Sequence, residues 1–463
     1  MGIDATREYR PLRECTSTGS VSYGIVQPGS HVENGVPIIR VNNINDGSLD
    51  VSSPLKVDPH IDEKHRKTRL EGGELLLSLV GTTGQCVVAG EELKGWNVAR
   101  AIAVIKPAQG ISPEWLSICL KSPATQHYLD SRANTTVQKT LNLRDVREIP
   151  IMTVSEPEER YILEWWTTLN DKIELNRRMN ATLEGMAQAL FKSWFVDFDP
   201  VIDNAIKAGN PIPDELAARA EVRRQALADG TANREAAKPF PAAFQETKAM
   251  GWIPDRWKIG SFLDEAQLLS GGTPKTSKPE YWNGGVRWAS AKDVSQCGKA
   301  FLIETEKTIT NLGLNKSATK VIPKFSTVVV ARGATTGRMT MFGEDIAMNQ
   351  TCYGMRLKSG NHFYGYCHSK NLITNLVSAA HGSVFDTITT TTFESSKVLK
   401  APENLTDLFE EETAPSFQKI LSNQGQTSTL TKLRDTLLPK LISGELRIPD
   451  AEKMADQATK DVL

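Results

Sequence analysis

Between Glu158 and Phe195 apolar side chains recur at alternating steps of four and three. They are Ile162, Trp166, Leu169, Ile173, Leu183, Ala187, Leu190 and Trp194, with Asn176 and Asn180 at two positions of the same series. This spacing is a coiled-coil seam and predicts one long helix. Adding 247 to the numbers gives Phe409, Ile420, Asn423, Leu430, Leu437 and Leu441. Without gaps, six of 25 positions in 171–195 match 418–442: Lys172/Lys419, Ile173/Ile420, Asn176/Asn423, Thr182/Thr429, Leu183/Leu430 and Leu190/Leu437. A helix that returns after this interval predicts a chain built from two similar halves.

The segments before each helix follow a different pattern. Short β-prone runs (Ile38–Val41, Leu75–Val80, Ala101–Ile105) alternate with Gly- and Asn-rich turns such as Gly81-Thr82-Thr83-Gly84. The second half echoes them in order. Val286–Val294 follows Val36–Ile44 by 250 residues, Thr335-Thr336-Gly337 repeats Thr82-Thr83-Gly84, and Ile346–Gln350 stands where Trp96–Arg100 stands. Ser155-Glu156-Pro157-Glu158 starts the central helix with a capping Ser, an early Pro and carboxylates, and Asp197–Pro200 ends it. The divisions expected are a first α/β domain (1–152), a central helix (153–199), a Pro- and Ala-rich linker with local structure (200–250), a second α/β domain (251–401), a C-terminal helix (402–447) and a frayed tail (448–463). The fold class is α+β, with two mixed α/β domains separated by a pair of long antiparallel coiled-coil helices in a pseudo-two-fold internal repeat. A seam of this length needs a partner, and the second copy is the natural one. In that pair Asn176 and Asn423 would fix the register. Two amphipathic helices packed on their own domains are the lesser alternative, which Thr413 and Arg434 at seam positions of the second copy keep open.

Composition narrows the chemistry. The net charge of −1 rules neither for nor against nucleic acid, because local patches decide binding. The sharpest patch is Lys64-His65-Arg66-Lys67-Thr68-Arg69. Six scattered cysteines form no C-x-x-C pair, so zinc ribbons and dithiol chemistry are not expected. No apolar run is long enough for a membrane span and the first residues lack a secretory core, so a cytoplasmic protein without membrane contact is expected. Gly333–Arg338 lacks the ending of a phosphate loop, no G-x-G-x-x-G or H-E-x-x-H occurs, and the histidines are isolated. The reading is a non-catalytic chain with no metal site.

The string from Asp171 to Phe198, with Asp171-Lys172-Ile173-Glu174-Leu175-Asn176 and Phe191-Lys192-Ser193-Trp194-Phe195-Val196-Asp197-Phe198, resembles the central conserved region of the specificity subunits of type I restriction–modification enzymes. Thr429–Leu446 resembles that family's distal conserved region, and Gly251–Trp257 the opening of its second target-recognition domain. The resemblance implies two target-recognition domains that each bind half of a split, asymmetric double-stranded DNA site. The paired helices would act as a ruler and dock two methyltransferase subunits. Restriction and translocase subunits would complete the complex. No cofactor is implied in this chain, while S-adenosylmethionine, ATP and Mg would serve the partners. A helix spacer of some 40–55 Å corresponds to roughly 12–16 base pairs at 3.4 Å each.

Within that frame, polar and basic residues of the turns are the candidate DNA contacts. In the first domain they are Asn42, Asn43, Lys64, Arg66, Lys67, Thr82, Thr83, Gln85 and Lys139. In the second they are Ser290, Lys292, Arg332, Thr335, Arg338 and the Thr389–Thr392 run with Thr390. Tyr161, Trp165, Phe191 and Phe195 lie outside the seam and are the candidate partner-binding face. Two other readings compete. One is a protein-interaction scaffold with two α/β modules on a coiled coil. The other is an enzyme with a non-standard site.

Overall fold

The computed structural model describes residues 8–45, 48–133, 139–379, 387–447 and 450. Most of the tail expected to fray therefore lies outside the described residues. Internal contacts divide the chain after Ile173 and again after Ser428, so each unit holds one α/β domain and a portion of both long helices. Among the described residues no helix is long and apolar enough to cross a membrane.

The first unit is built on an antiparallel sheet in the order Thr16–Tyr23, Ile102–Pro107, Leu75–Ser78, Cys86–Val88. Leu75, Leu76 and Leu77 are fully buried in its middle, which accounts for the most apolar run of the sequence. A smaller sheet, Leu55–Val57, Val36–Ile39, Asn97–Val98, contains a parallel pair with Ile38 opposite Asn97. Helices Pro113–Lys121 and Pro123–Arg132 cover the larger sheet, each started by a serine whose hydroxyl accepts a backbone N–H. Strands Glu8–Pro11 and Pro150–Thr153 pair antiparallel where the domain begins and ends.

The second unit repeats this scheme with an added edge strand in each sheet. Its larger sheet runs Ala266–Ser270, Cys352–Leu357, Thr327–Val330, Met339–Phe342 and adds Phe301–Leu302 at the edge. Its smaller sheet again holds a parallel pair, with Trp288 opposite Ala347, each 250 residues after its counterpart. Lys258–Ser261 and Lys397–Lys400 close the domain as the terminal pair does in the first unit. The internal repeat read from the sequence is thus present in the strand order and register.

The helices span Glu156–Phe195 and Glu403–Ser443. Within the first unit they run antiparallel: Arg434 donates to Asn170 Oδ1 at 2.8 Å and lies over the Trp166 ring, while Ile162 and Leu441 line one groove. Arg434 fits a seam position because its guanidinium stacks on an aromatic face instead of entering an apolar layer. Within the second unit the pairing is also antiparallel. Asn423 donates to Asn180 Oδ1 at 2.9 Å, and the Phe409 ring packs on Phe191, Trp194 and Phe195. Asn176 and Asn423 are each 1% exposed, and Asn176 reaches Gln426 at 3.4 Å. Thr413 satisfies its buried hydroxyl on the Phe409 carbonyl one turn back.

Residues 200–250, read as a linker with local structure, form a packed helical segment. Helices Asp199–Ala208 and Ala217–Ala228 are clamped by two bidentate pairs, Arg219 on Asp199 and Arg223 on Asp203. Both aspartates are nearly buried, so these pairs are well shielded from water. Val201 is buried, and Phe240 meets the edge of Trp194 with centroids 5.2 Å apart. Spacings of four put both aspartates on one helix face and both arginines on the other.

Candidate nucleic-acid interface

In the first unit one end of the larger sheet carries a polar rim. Strand Leu75–Ser78 leaves the sheet through a turn in which Gly81 and Gly84 have positive φ, and a Cβ on Gly84 would crowd the Gln126 amide at 2.8 Å. Ser78 organises the turn: its hydroxyl donates to the Thr82 carbonyl and accepts the Gln85 N–H. This leaves Thr82 exposed and Thr83 and Gln85 half-buried. The Gly81 N–H binds the Lys139 carbonyl at 3.1 Å, which brings Lys139 to the same rim, although its ammonium donates to Asp130 at 2.6 Å. Leu79 is hydrogen-bonded to Ala101, so Arg100 stands beside the turn, with its guanidinium over the exposed Tyr23 ring.

The basic segment lies on a buried polar floor. Asp58 caps helix Pro59–Lys64, and the chain then turns through Arg66–Thr68. Asn97, fully buried, donates to Asp62 Oδ1 at 2.8 Å and to the His65 carbonyl at 3.2 Å. Its oxygen accepts from the Thr68 hydroxyl and the Val98 N–H. Arg69 closes the network on the other oxygen of Asp62. A fully satisfied network of this kind rigidifies what it carries. Above it Lys64, Arg66 and Lys67 are exposed, and Arg66 approaches Glu63 at 3.9 Å. Asn97 is three residues from Arg100, so the segment adjoins the polar rim.

The second unit presents a comparable rim, with the same Thr-Thr-Gly in the turn and other side chains around it. Val330 leads into a turn with positive φ at Gly333 and Gly337, closed by the Gly337 N–H on the Val330 carbonyl. Arg332 bridges to Thr387, and Ile388 donates to the Ala331 carbonyl at 2.8 Å. Thr389 then caps helix Thr390–Ser395 by a reciprocal pair with Thr392. Arg332, Thr335, Arg338 and Thr390 are exposed along this edge.

Several candidates have a different place. Asn43 is buried: its amide oxygen accepts the Arg40 N–H and its nitrogen donates to the Asp50 carbonyl, whereas Asn42 is exposed. Ser290 caps helix Ala291–Gln296, with its hydroxyl engaged by Asp293. Lys292 is exposed but paired to Glu306 at 2.8 Å. The aromatic face also needs correction. Phe191 and Phe195 are 3% and 7% exposed and pack on Tyr364 and Phe409, so neither offers a surface. They are buried because this part of the helix packs on the α/β domain of the second unit, where Glu184 accepts from Tyr366 and Lys370. Tyr161 and Trp165 are half-buried against the first unit's core. The apolar residues that this helix exposes most are Leu175 and Met186. Exposed near the rims and not singled out in the sequence are Tyr23 and Arg100, and Thr273, whose hydroxyl donates to Gln350 Oε1 at 2.6 Å, although Arg100 and Gln350 end two of the repeated strings.

The strongly shifted titratable groups are in the cores. Burial pushes the Cys119 and Cys352 thiols up to about 12 and lowers the His362 and His368 imidazoles to about 4. Glu410 accepts the first N–H groups of helix His362–Ala379, and burial raises its carboxyl pKa. Among the described residues no group of three or more His, Cys, Asp or Glu side chains is placed to hold a metal.

Two copies of one α/β unit, each ending in a polar rim and each contributing to a helix pair, define a duplicated recognition architecture. The family model for the type I restriction modification DNA specificity domain matches residues 30–185 and 254–399, once over each α/β domain, and the chain belongs to this family. Among relatives, the type I restriction enzyme HindI specificity subunit of Haemophilus influenzae is 28% identical over 411 residues, covering 82% of this chain and 88% of that protein. The EcoBI specificity subunit of Escherichia coli is 34% identical over 140 residues, 30% of this chain and 29% of that protein. The crystal structure of the S subunit of a type I restriction-modification system from M. genitalium shares the fold, with a TM-score of 0.52 at 12% identity over 95% of this chain and 98% of that one.

Proposed function

We propose that this chain is the DNA-reading subunit of a type I restriction–modification complex and binds a bipartite, asymmetric site, one half per α/β unit. The observation that carries the proposal is the recurrence of a Thr-Thr-Gly turn after the corresponding strand in both units, with different exposed residues around it. A shared frame holds two readers, and different exposed residues select different bases. The exposed cations Lys64, Arg66, Lys67, Arg332 and Arg338 suit phosphates or guanine edges.

On this reading the chain recognises and does not catalyse. Two methyltransferase subunits would bring S-adenosylmethionine and methylate adenine. Restriction and translocase subunits would use ATP and Mg, in the cytoplasm with the DNA. Leu175 and Met186, eleven residues apart and therefore on one helix face, are the positions we propose for methyltransferase docking in place of Phe191 and Phe195. Sequencing of methylated adenines in cells carrying the chain and its methyltransferase tests the proposal. It predicts a split motif with an unread gap. A continuous motif, or no methylation dependent on this chain, contradicts it.

A further inference from the structure

The strongest unassigned feature is a pair of exposed contacts at one strand crossing, present in both units. In the first, Tyr23 pairs with Ala103, the Ile25 N–H binds the Val98 carbonyl at 2.8 Å, and the Ala99 N–H binds the Ile39 carbonyl at 2.8 Å. In the second, Ser270 pairs with Tyr353, the Gly272 N–H binds the Met348 carbonyl at 2.9 Å, and the Asn349 N–H binds the Ala289 carbonyl at 3.0 Å. These registers equate Arg100 with Gln350, Val26 with Thr273 and Tyr23 with Ser270. The backbone approach is equally close in both: a Cβ on Gly24 would stand 1.9 Å from the Val98 oxygen, and one on Gly271 would stand 2.1 Å from the Met348 oxygen. The crossing admits only glycine, so the side chains above it rest on rigid backbone.

What stands on that platform differs. In the first unit the Arg100 guanidinium lies over the Tyr23 ring, 5.8 Å from its centroid, and both residues are exposed. In the second the Thr273 hydroxyl is 2.6 Å from Gln350 Oε1, and both are exposed. Each residue of interest is held by a neighbour that leaves its recognition edge open. The contact with the ring engages the guanidinium charge and does not itself consume the forked N–H donors. The hydroxyl occupies one lone pair of Gln350, leaving the amide N–H2 and the second lone pair. A forked double donor matches O6 and N7 of guanine. A donor beside an acceptor matches N7 and N6 of adenine.

We infer that Arg100 and Gln350 are corresponding base-reading residues, Arg100 selecting a guanine in one half-site and Gln350 an adenine in the other, oriented by Tyr23 and Thr273. The inference rests on the DNA-reading function proposed above and adds the residues and bases that make the halves differ.

The test is the methylated-adenine motif of cells carrying the methyltransferase with wild-type chain, Arg100→Gln or Gln350→Ala. Wild type comes first: a split motif with a guanine in one half and an adenine in the other is expected. Absence of any split motif defeats the parent reading, whereas a split motif unmoved by either variant defeats only this inference. Arg100→Gln should convert one guanine to adenine in one half and leave the other half intact. Gln350→Ala should relax a single adenine in the opposite half, with discrimination there falling roughly 5- to 150-fold. Thr273→Val should weaken the same adenine preference more mildly. If Arg100→Gln lowers methylation equally at all sequences and flattens the salt dependence, Arg100 holds a phosphate and the inference fails. Copurification with the methyltransferase confirms that each variant folds, since both side chains lie on the surface.

Discussion

The two α/β units share a strand order but differ beneath their rims. Asn97 and Ala347 occupy the same register position, opposite Ile38 and Trp288. In the first unit Asn97 organises Asp62, His65 and Thr68 and so fixes a loop bearing three exposed cations. In the second unit Ala347 is a buried methyl group, and helix Asn311–Asn315 exposes Leu312 instead. One backbone thus carries two chemistries. The difference lies in side chains that the fold does not require, which is where specificity can diverge without loss of structure.

The largest expected effect breaks the polar floor. Asn97→Ala removes the donor to Asp62 Oδ1 and the acceptor of the Val98 N–H, and should destabilise the first unit by roughly 3 kcal/mol. Hydrogen exchange at the amides of residues 59–70 should accelerate while those of the second unit hold. An unchanged pattern would remove the floor from the account. Next comes a pH effect confined to the second unit. His368 is depressed to about 4 from 6.5 by burial, so between those values the unfolded state takes up a proton that the native state does not. Its contribution is complete above about 6.5 and falls away as pH drops to 4, reaching about 3 kcal/mol. Denaturation at pH 7 and pH 4.5 should show the second unit weakening, and His368→Phe, which keeps a ring against Phe262, should remove its share of that dependence and leave the share of His362, which burial lowers to the same value. A variant as acid-labile as wild type would refute the assignment.

A smaller effect sharpens the comparison at the surface. Removing two cations by Arg66→Ala with Lys67→Ala should lower the salt slope of DNA binding by about 1.8 and shrink the salt response roughly tenfold between 50 and 200 mM. The base preferences should stay. If affinity and slope are unchanged, the basic segment does not touch DNA. The smallest effect separates a cap from a reader. Ser290→Ala should cost about 1 kcal/mol through the lost helix cap. It should leave the methylation motif untouched, and a changed motif would restore Ser290 to the interface.

Much of this architecture was legible in the sequence because periodicity reports it directly. The helix seam and its copy at +247, and the strand echoes at +250, reflect burial patterns that repeat along the chain. The rim was legible only in part. Asn43 and Ser290 have the residue types that read bases, but the same hydrogen-bonding capacity closes turns and caps helices, and only coordinates tell these uses apart. Phe191 and Phe195 fall off the two-helix seam, yet a third element buries them. The Arg219 and Arg223 clamps turn a Pro-rich stretch into packed structure through partners twenty residues away. Arg100 and Gln350 went unremarked because each stands alone in sequence. Their meaning lies in the crossing that equates them.

The central claim is that each unit independently reads one half of a split site. Both domains begin and end on a paired strand, Glu8–Pro11 with Pro150–Thr153 and Lys258–Ser261 with Lys397–Lys400, so a domain can be exchanged at those junctions. The direct measurement is the methylated-adenine motif of a chain in which 258–400 is replaced by a second copy of 8–153. The account predicts a split motif whose two halves carry the same sequence. A motif whose halves still differ, from a complex that still methylates, would contradict it.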